Sequence, residues 1–481
     1  MPQSRRILTD DSQCKLTSFV RFKRMAGRKY THWVELITAE AAESRYVRYR
    51  RIIRFPQLTM PLLAAYSPAH WRVTHTDEIV QRVRFDKPYS LVGITANTAA
   101  APHAYWLAAR YRERGIPVVI GGPHATLMPE EVALHADAVV VGEGELVWPK
   151  VLYDCEQGNL ARFYRSDRLP DLMGMPAPRW DLIKGRVYGK GVTIATRGCP
   201  FACDYCSIPQ MYQRRMRYRP IDEMREEIRR MPGRALVFWD DNIGANRNYA
   251  KELFKAITPL GRWWTSQSTL DVAFDDEFLH LAARSGCKAL FVGLESISQQ
   301  SLNGANKRHN DVASYREIVR RFHQYGIAIQ AGVVFGFDHD DRSIFRRTVE
   351  VFREIGIDSA TIGILVPYPN TPLFNRLDAE GRILTRDWSK YDGKQHVVFQ
   401  PALMSPEDLL NGTEWAARQF YSLESIAERM WKSRTGLWWN VVRNLGYHLA
   451  LRKFGNIGYS PDVVVPNTQR GLAEEVTARV A

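Results

Sequence analysis

The chain has 481 residues, 45% of them hydrophobic and 25% charged, an ordinary globular composition at a length that suggests about two to four domains. These proportions exclude a disordered chain, a collagen-like fibre and a disulfide scaffold, and no run approaches the roughly 18 consecutive apolar residues of a membrane span. Residues 1–30 are polar and basic, with no apolar segment of the kind that directs secretion, so the expected compartment is the cytoplasm. The net charge of +14 admits nucleic acid, an anionic membrane or an acidic substrate, but most of it is spread along the chain as on a solvated surface.

Up to about residue 158, short apolar runs alternate with helical periods. Residues 34–37, 71–75, 90–95, 118–120 and 138–141 read as strands; 57–66 and 102–114 read as helices. That alternation predicts a doubly wound parallel sheet. The stretch 159–190, with Pro170, Pro176 and Pro178, is irregular. Strand–helix alternation resumes with strands at 192–195, 235–238, 263–266, 289–292, 327–334 and 359–365, six units that predict an open α/β barrel. From about 405 the pattern is helical. The expected organisation is a basic segment (1–32), a Rossmann-like domain (33–165), a linker (166–188), a barrel (189–405), a helical region (406–460) and a tail (461–481).

The chemistry concentrates in Cys199, Cys203 and Cys206, spaced four then three within RGCPFACDYC just after the 192–195 strand. Parallel α/β folds place reactive loops there. Three thiolates on one loop suit an iron–sulfur cluster; zinc usually takes paired C-x2-C units and four protein ligands. Of the six cysteines, Cys14, Cys155 and Cys287 stand apart. A three-cysteine [4Fe–4S] cluster leaves one iron open for a reactant.

At these residues the chain resembles the radical S-adenosylmethionine (SAM) enzymes, whose signature is C-x3-C-x2-C with an aromatic before the last cysteine, here Tyr205. The resemblance implies that SAM chelates the open iron and is cleaved to methionine and a 5′-deoxyadenosyl radical, with Tyr205 beside the adenine. It further implies SAM contacts from Asp240, Asp241 and Asn242 after the second barrel strand and from Gln267 after the third. Glu295 in GLES and Gly332 in GVVFGF complete the set. Read without the resemblance, Asp240 or Glu295 equally well caps a helix.

The domain ahead of the triad resembles the cobalamin-binding domain of one radical SAM class. The implied cobalamin contacts are Thr95, Asn97 and Thr98, then Gly121, Gly122 and His124, then Gly142, Glu143, Gly144 and Glu145. Glycines at strand ends let a backbone approach a flat macrocycle. The D-x-H-x-x-G motif that gives cobalt a histidine ligand is absent, and neither His103 nor His124 is assigned to cobalt.

Two basic stretches stand out: Arg45, Arg48, Arg50, Arg51 and Arg54 among Tyr46 and Tyr49, and residues 429–459, with Arg429, Lys432, Arg434, Arg443, Arg452 and Lys453 and no acidic residue. The second is also aromatic, and Trp438, Val441, Val442, Leu445 and Leu449 fall near one helical face. The preferred reading is a helical cap on the barrel mouth; the other is peripheral contact with an anionic inner-membrane surface.

These features predict a radical SAM enzyme using a [4Fe–4S] cluster, SAM and cobalamin. The expected reaction is C-methylation of an unactivated carbon in a small-molecule or lipid-like substrate. The alternative is cyclisation, C–C coupling or oxidation without methyl transfer. Flavodoxin or ferredoxin is the expected reductant. Nucleic acid is not expected, since residues 1–198 carry only Cys14 and Cys155 and no second triad. Tyr368 and Asn370, in PYPNTP after the sixth barrel strand, either face substrate or shape the turn.

Overall fold

Runs such as Val118-Val119-Ile120 and Ala138-Val139-Val140-Val141 are rich in β-branched residues with no polar alternation, the pattern of strands buried on both faces. In the computed structural model, which describes residues 30–41, 56–166, 168–184, 191–433 and 435–454, such runs build two parallel sheets. The basic stretch at 45–54, Cys14, Arg434 and the side chain of Lys453 lie outside what is described.

The first sheet contains β1 (His32–Thr38), β2 (Trp71–Asp77), β3 (Leu91–Thr95), β4 (Val118–Gly121), β5 (Ala138–Val141) and β6 (Phe163–Arg165), in the order β2-β1-β3-β4-β5-β6. The strand order reverses between β1 and β3, and α/β sheets bind ligands in the crevice beyond the carboxyl ends at such a switch point. One face packs Ile37, Ile94, Leu107 and Ile120; the other packs Leu36, Leu91, Trp148 and Val151.

The second sheet contains β7 (Val192–Thr193), β10 (Ala235–Phe238), β11 (Trp263–Ser268), β12 (Cys287–Glu295), β13 (Ala328–Phe335) and β14 (Ser359–Ile364), in consecutive order with β7 and β14 as its edges. It is an open six-stranded barrel wall with helices on its outer face. The expected strand at 192–195 is cut short. Asp240 takes the N–H groups of Ala195 (2.8 Å) and Thr196 (3.0 Å), so the chain leaves the sheet there. It then pairs β8 (Thr196–Arg197) antiparallel with β9 (Arg217–Tyr218), a ribbon that frames the cysteine loop.

The last three helices, Pro406–Phe420, Leu423–Ser433 and Leu437–Phe454, correct the expectation of a cap on the barrel mouth. The first starts at the carboxyl side, where Leu409 backs Gly336 and Asp408 pairs with Arg342 at 2.7 Å, and runs down the outer face; the other two pack at the opposite end. Arg429, fully buried, donates to the carbonyls of Ile357 (2.8 Å), Asp358 (3.0 Å) and Phe420 (2.9 Å) and stacks 3.8 Å from the Phe420 ring. Asp358, just before β14, also accepts from Ser433, Thr435 and Asn440. Trp438 packs against Trp263, the first residue of β11, with ring centroids 6.1 Å apart. Ile357, Asp358 and Trp263 all lie at the amino ends of β14 and β11. Arg429, counted above with a basic surface stretch, is therefore an internal tie.

Candidate functional site

The cysteine loop runs from β8 to the short helix Ile208–Tyr212. Gly198 opens it at φ +97°, where an added Cβ would sit 2.1 Å from the Arg215 carbonyl oxygen, so only glycine fits. Its N–H donates to Asp241 Oδ2 at 2.8 Å. Further along, Asp204 N–H donates to Ala305 O (3.1 Å), Asn306 Nδ2 to Ala202 O (2.8 Å), and Leu373 N–H to Asp204 O (3.0 Å). Phe201 stacks on His309, centroids 3.8 Å apart. The loop is thus held from three sides.

Cys203 is buried and Cys199 and Cys206 are partly so. Burial pushes all three thiols up, Cys206 to about 12. Thiolate ligands must lose these protons, and a bound metal cluster supplies the charge that makes that favourable. Lys307 is the nearby protein cation that opposes the upward shift at each cysteine. Three thiols on one restrained loop beside a buried ammonium suit a [4Fe–4S] cluster with one iron open. Cys155 and Cys287 lie elsewhere, with Sγ against the Ser90 and Ala289 carbonyls.

Glu295 is the second feature of the site. The β12–β13 register shifts between Gly293 and Glu295, and Glu295 adopts φ +63°; such a bulge re-aims a side chain. Its carboxylate pairs with Lys307 Nζ at 3.0 Å, both side chains largely buried, and hydrogen-bonds Tyr205. An added Cβ on Gly293 would fall 2.2 Å from Glu295 Oε1. Burial opposes the charge on Lys307, but Glu295 and Cys203 outweigh it and raise its pKa. Lys307 escaped sequence reasoning because a lysine in the loop segment ANKRHN carries no pattern.

The expected SAM contacts separate into two groups. Asn242 bonds Thr269 through both amide atoms at 3.4 Å and reaches Cys199, and Gln267 lies on the half-buried row of β11 in register with Phe291. Tyr205, Asn242, Gln267 and Glu295 all stand near the carboxyl ends of the strands. Asp240 is different: it is fully buried, and beyond its two backbone donors it accepts from Thr196 Oγ1 at 3.0 Å. Burial lifts its carboxyl to about 7 against those donors. It positions the cysteine loop rather than presenting a group to a ligand. Asp241, likewise, is engaged by Gly198. Gly332 is buried and faces Phe291, whose Cζ would lie 2.9 Å from an added Cβ, so the ring already fills the space beside it.

The expected cobalamin contacts also divide. Thr95, Gly121 and Gly122 end β3 and β4 at the crevice. Gly122 has φ +97° and an added Cβ would be 2.4 Å from Thr95 Oγ1. Asn97 is exposed, and Gly142 (φ +80°) has open space where a side chain would stand. Gly144 is backed by Leu63, 3.2 Å from where a Cβ would be. These glycine-lined, partly open loops fit a flat macrocycle.

His124, Thr98, Glu143 and Glu145 are engaged by protein partners. Both His124 nitrogens face protein oxygens, Thr98 Oγ1 at 3.4 Å and Tyr105 Oη at 3.0 Å, and the residue is buried. Glu143 and Glu145 cross to the other sheet. Arg197, immediately before the cysteine loop, pairs with Glu143 at 3.0 Å and Glu145 at 2.6 Å; Arg217 on β9 also pairs with Glu143, Nη1 to Oε2 at 2.8 Å. All four side chains are largely buried.

This clasp joins the carboxyl edge of the first sheet to that of the second. Trp388 Nε1 donates to Glu131 at 2.9 Å, Trp239 Nε1 to Pro56 O at 2.9 Å, and Asn370 Nδ2 to Leu127 O. Asn370 therefore serves the domain interface. The N-terminal crevice stands over the barrel mouth.

Comparison with known proteins agrees with this geometry. The Radical SAM superfamily matches residues 193–350 and the B12 binding domain matches residues 63–152. Bacteriochlorophyllide d C-12(1)-methyltransferase of Chlorobaculum tepidum is 31% identical over 386 residues, 78% of this chain and 84% of the relative. The anaerobic magnesium-protoporphyrin IX monomethyl ester cyclase of Cereibacter sphaeroides is 25% identical over 411 residues, 77% of this chain and 66% of the relative. Among solved structures, the radical SAM methyltransferase TsrM from Kitasatospora setae, with cobalamin and a [4Fe–4S] cluster bound, superposes with a TM-score of 0.58 at 17% identity, covering 81% of this chain and 85% of that one. That likeness is one of fold.

Proposed function

Because the chain belongs to the radical SAM superfamily and carries a B12-binding domain ahead of its barrel, we propose that it is a C-methyltransferase that modifies an unactivated carbon of a small-molecule or lipid-like substrate held between its two sheets. The observation that carries this reading is the clasp, which turns the cobalamin crevice toward the cysteine loop. When bound, the cluster with SAM supplies a hydrogen-abstracting radical and cobalamin supplies the methyl group.

The chain's own residues bind, orient and exclude water. Cys199, Cys203 and Cys206 would hold the cluster. Lys307 and Glu295 offer an ammonium and a carboxylate to the charged methionyl end of SAM, with Tyr205 beside them. Asn97, Gly122 and Gly142 receive the corrinoid. The buried ion pairs at the rim keep water from the gap, which protects a radical from quenching. The electron comes from a one-electron donor of the flavodoxin or ferredoxin type.

The cyclase among the relatives supports a second reading, ring closure without methyl transfer. The two separate in one experiment. The anaerobically reconstituted protein is incubated with cobalamin, a strong reductant and SAM labelled in its methyl group. Methyl transfer gives S-adenosylhomocysteine and retained corrinoid. Formation of 5′-deoxyadenosine with no S-adenosylhomocysteine and no retained corrinoid would overturn the methyltransferase reading. No helix among the described residues is long and apolar enough to cross a membrane. Trp438, Val442, Leu445 and Leu449 do leave an exposed apolar stripe on the last helix, which supports contact with a lipid surface. Sedimentation with phosphatidylglycerol vesicles checks it, and a W438A/L449A variant that sediments equally well would count against it.

A further inference from the structure

At the amino edge of the first sheet, away from the crevice and the cysteine loop, three side chains converge from three elements. His32 is the first residue of β1, His70 directly precedes β2, and Glu156 ends the helix Trp148–Glu156. One ligand atom from each lies within 4.8 Å of the other two. The parallel register sets His32 opposite Trp71 and so beside His70. His70 Nε2 stands 2.6 Å from Glu156 Oε1, and the His32 and His70 rings are 6.4 Å apart, edge to face.

The neighbours hold these groups in place. Trp71 stacks on His32, centroids 4.8 Å apart, and its Nε1 donates to Glu156 Oε1 at 2.5 Å, leaving Oε2 without that bond. Thr31 Oγ1 lies 3.0 Å from His32 Nδ1; with that nitrogen donating its proton, Nε2 carries the lone pair. Partners of this kind orient metal-ligating histidines and fix their tautomer. Two imidazoles and one carboxylate form a donor set suited to a borderline divalent ion such as Zn²⁺, with a position left for water.

We propose that His32, His70 and Glu156 form a divalent-metal site of the zinc class, independent of the cysteine cluster, that ties β1, the chain entering β2 and the end of the Trp148–Glu156 helix together. The trio lies at the edge of the first sheet opposite the cobalamin crevice.

The test uses the cluster-loaded, chelator-washed protein, with iron content measured before and after titration with Zn²⁺. The expected result is one equivalent bound with unchanged iron. Zinc X-ray absorption should show nitrogen and oxygen neighbours at about 2.0–2.2 Å and no sulfur at about 2.3 Å. His70→Ala and Glu156→Gln should each weaken binding at least about tenfold, the range for loss of a ligand or its close support. His70 is half exposed, so its replacement leaves the packing intact. Sulfur in the zinc shell, an absence of stoichiometric binding, or undiminished affinity in His70→Ala would each overturn the proposal. None of these readouts depends on the reaction the protein performs.

Discussion

Replacing Arg197 by methionine removes the shared cation of the clasp. Glu143 retains Arg217, but Glu145, 2.6 Å from Arg197 and about nine-tenths buried, is left without its counter-charge. Burial opposes ionisation of Glu145, and Arg197 overcomes it, so the folded carboxyl titrates below its ordinary range. Removing one partner of such a buried pair costs about 3–5 kcal/mol, while exchanging both for apolar groups is often close to neutral. R197M should therefore lose about 3–5 kcal/mol in anaerobic denaturant unfolding, and R197M/E145L should recover most of it. E145Q alone leaves Arg197 paired with Glu143, so it should cost about 1.5–3 kcal/mol, the scale of one hydrogen bond to a charged group. Adding E145L alone closes a double-mutant cycle with R197M and R197M/E145L. Because the clasp joins two sheets, R197M should also release 5′-deoxyadenosine without coupled product more often than wild type. If R197M unfolds within about 0.5 kcal/mol of wild type, or the double variant is weaker than R197M, the account of the clasp is wrong.

Alanine at Cys199, Cys203 or Cys206 should abolish the cluster's visible absorption and all SAM cleavage, whereas alanine at Cys155 or Cys287 should leave the iron content unchanged; iron analysis distinguishes the cases. Lys307→Met removes a positive charge near the thiolates and frees Glu295, so the cluster potential should fall and SAM should bind more weakly, as read by redox-poised EPR and equilibrium dialysis. The Asp240 carboxyl is lifted to about 7, above its unfolded value of about 3.9. Between those two values the folded state holds a proton that the unfolded chain has lost. Its contribution to stability therefore declines as pH rises from about 4 to about 7 and levels off above. Asp240→Asn should flatten that part of the profile in pH-dependent unfolding; an unchanged slope would rule the assignment out.

The parallel sheets were legible because strands such as β3, β4 and β5 are short apolar runs with no polar alternation, separated by turn residues. The cysteine loop was legible because its three ligands fall within eight residues. What escaped was long-range pairing. Nothing near Glu145 in the sequence points to Arg197, so GEGE read as a ligand loop rather than half of an ionic clasp. Asp240, adjacent to two other polar residues, gave no sign that its carboxylate turns inward to end β7. β6, β8 and β9 are two or three residues long, too short for a period. The apolar face of the Leu437–Phe454 helix gave the wrong side: Trp438, Val442, Leu445 and Leu449 are exposed, and the face turned to the barrel carries Asn440 and Asn444, whose bonds to Asp358 no period could show.

The polar tie around Asp358 has a bearing on traffic. One end of the barrel is packed by helices and the other is roofed by the crevice domain. If the substrate lies between the sheets as proposed, its way in would be the seam between the edge strands β7 and β14, which the Leu373 N–H to Asp204 O bond (3.0 Å) spans toward its carboxyl end. The girth of an acceptable guest is then fixed by the span between roof and wall and not by the bore of the barrel. Loosening the roof should broaden what is admitted before it slows the chemistry.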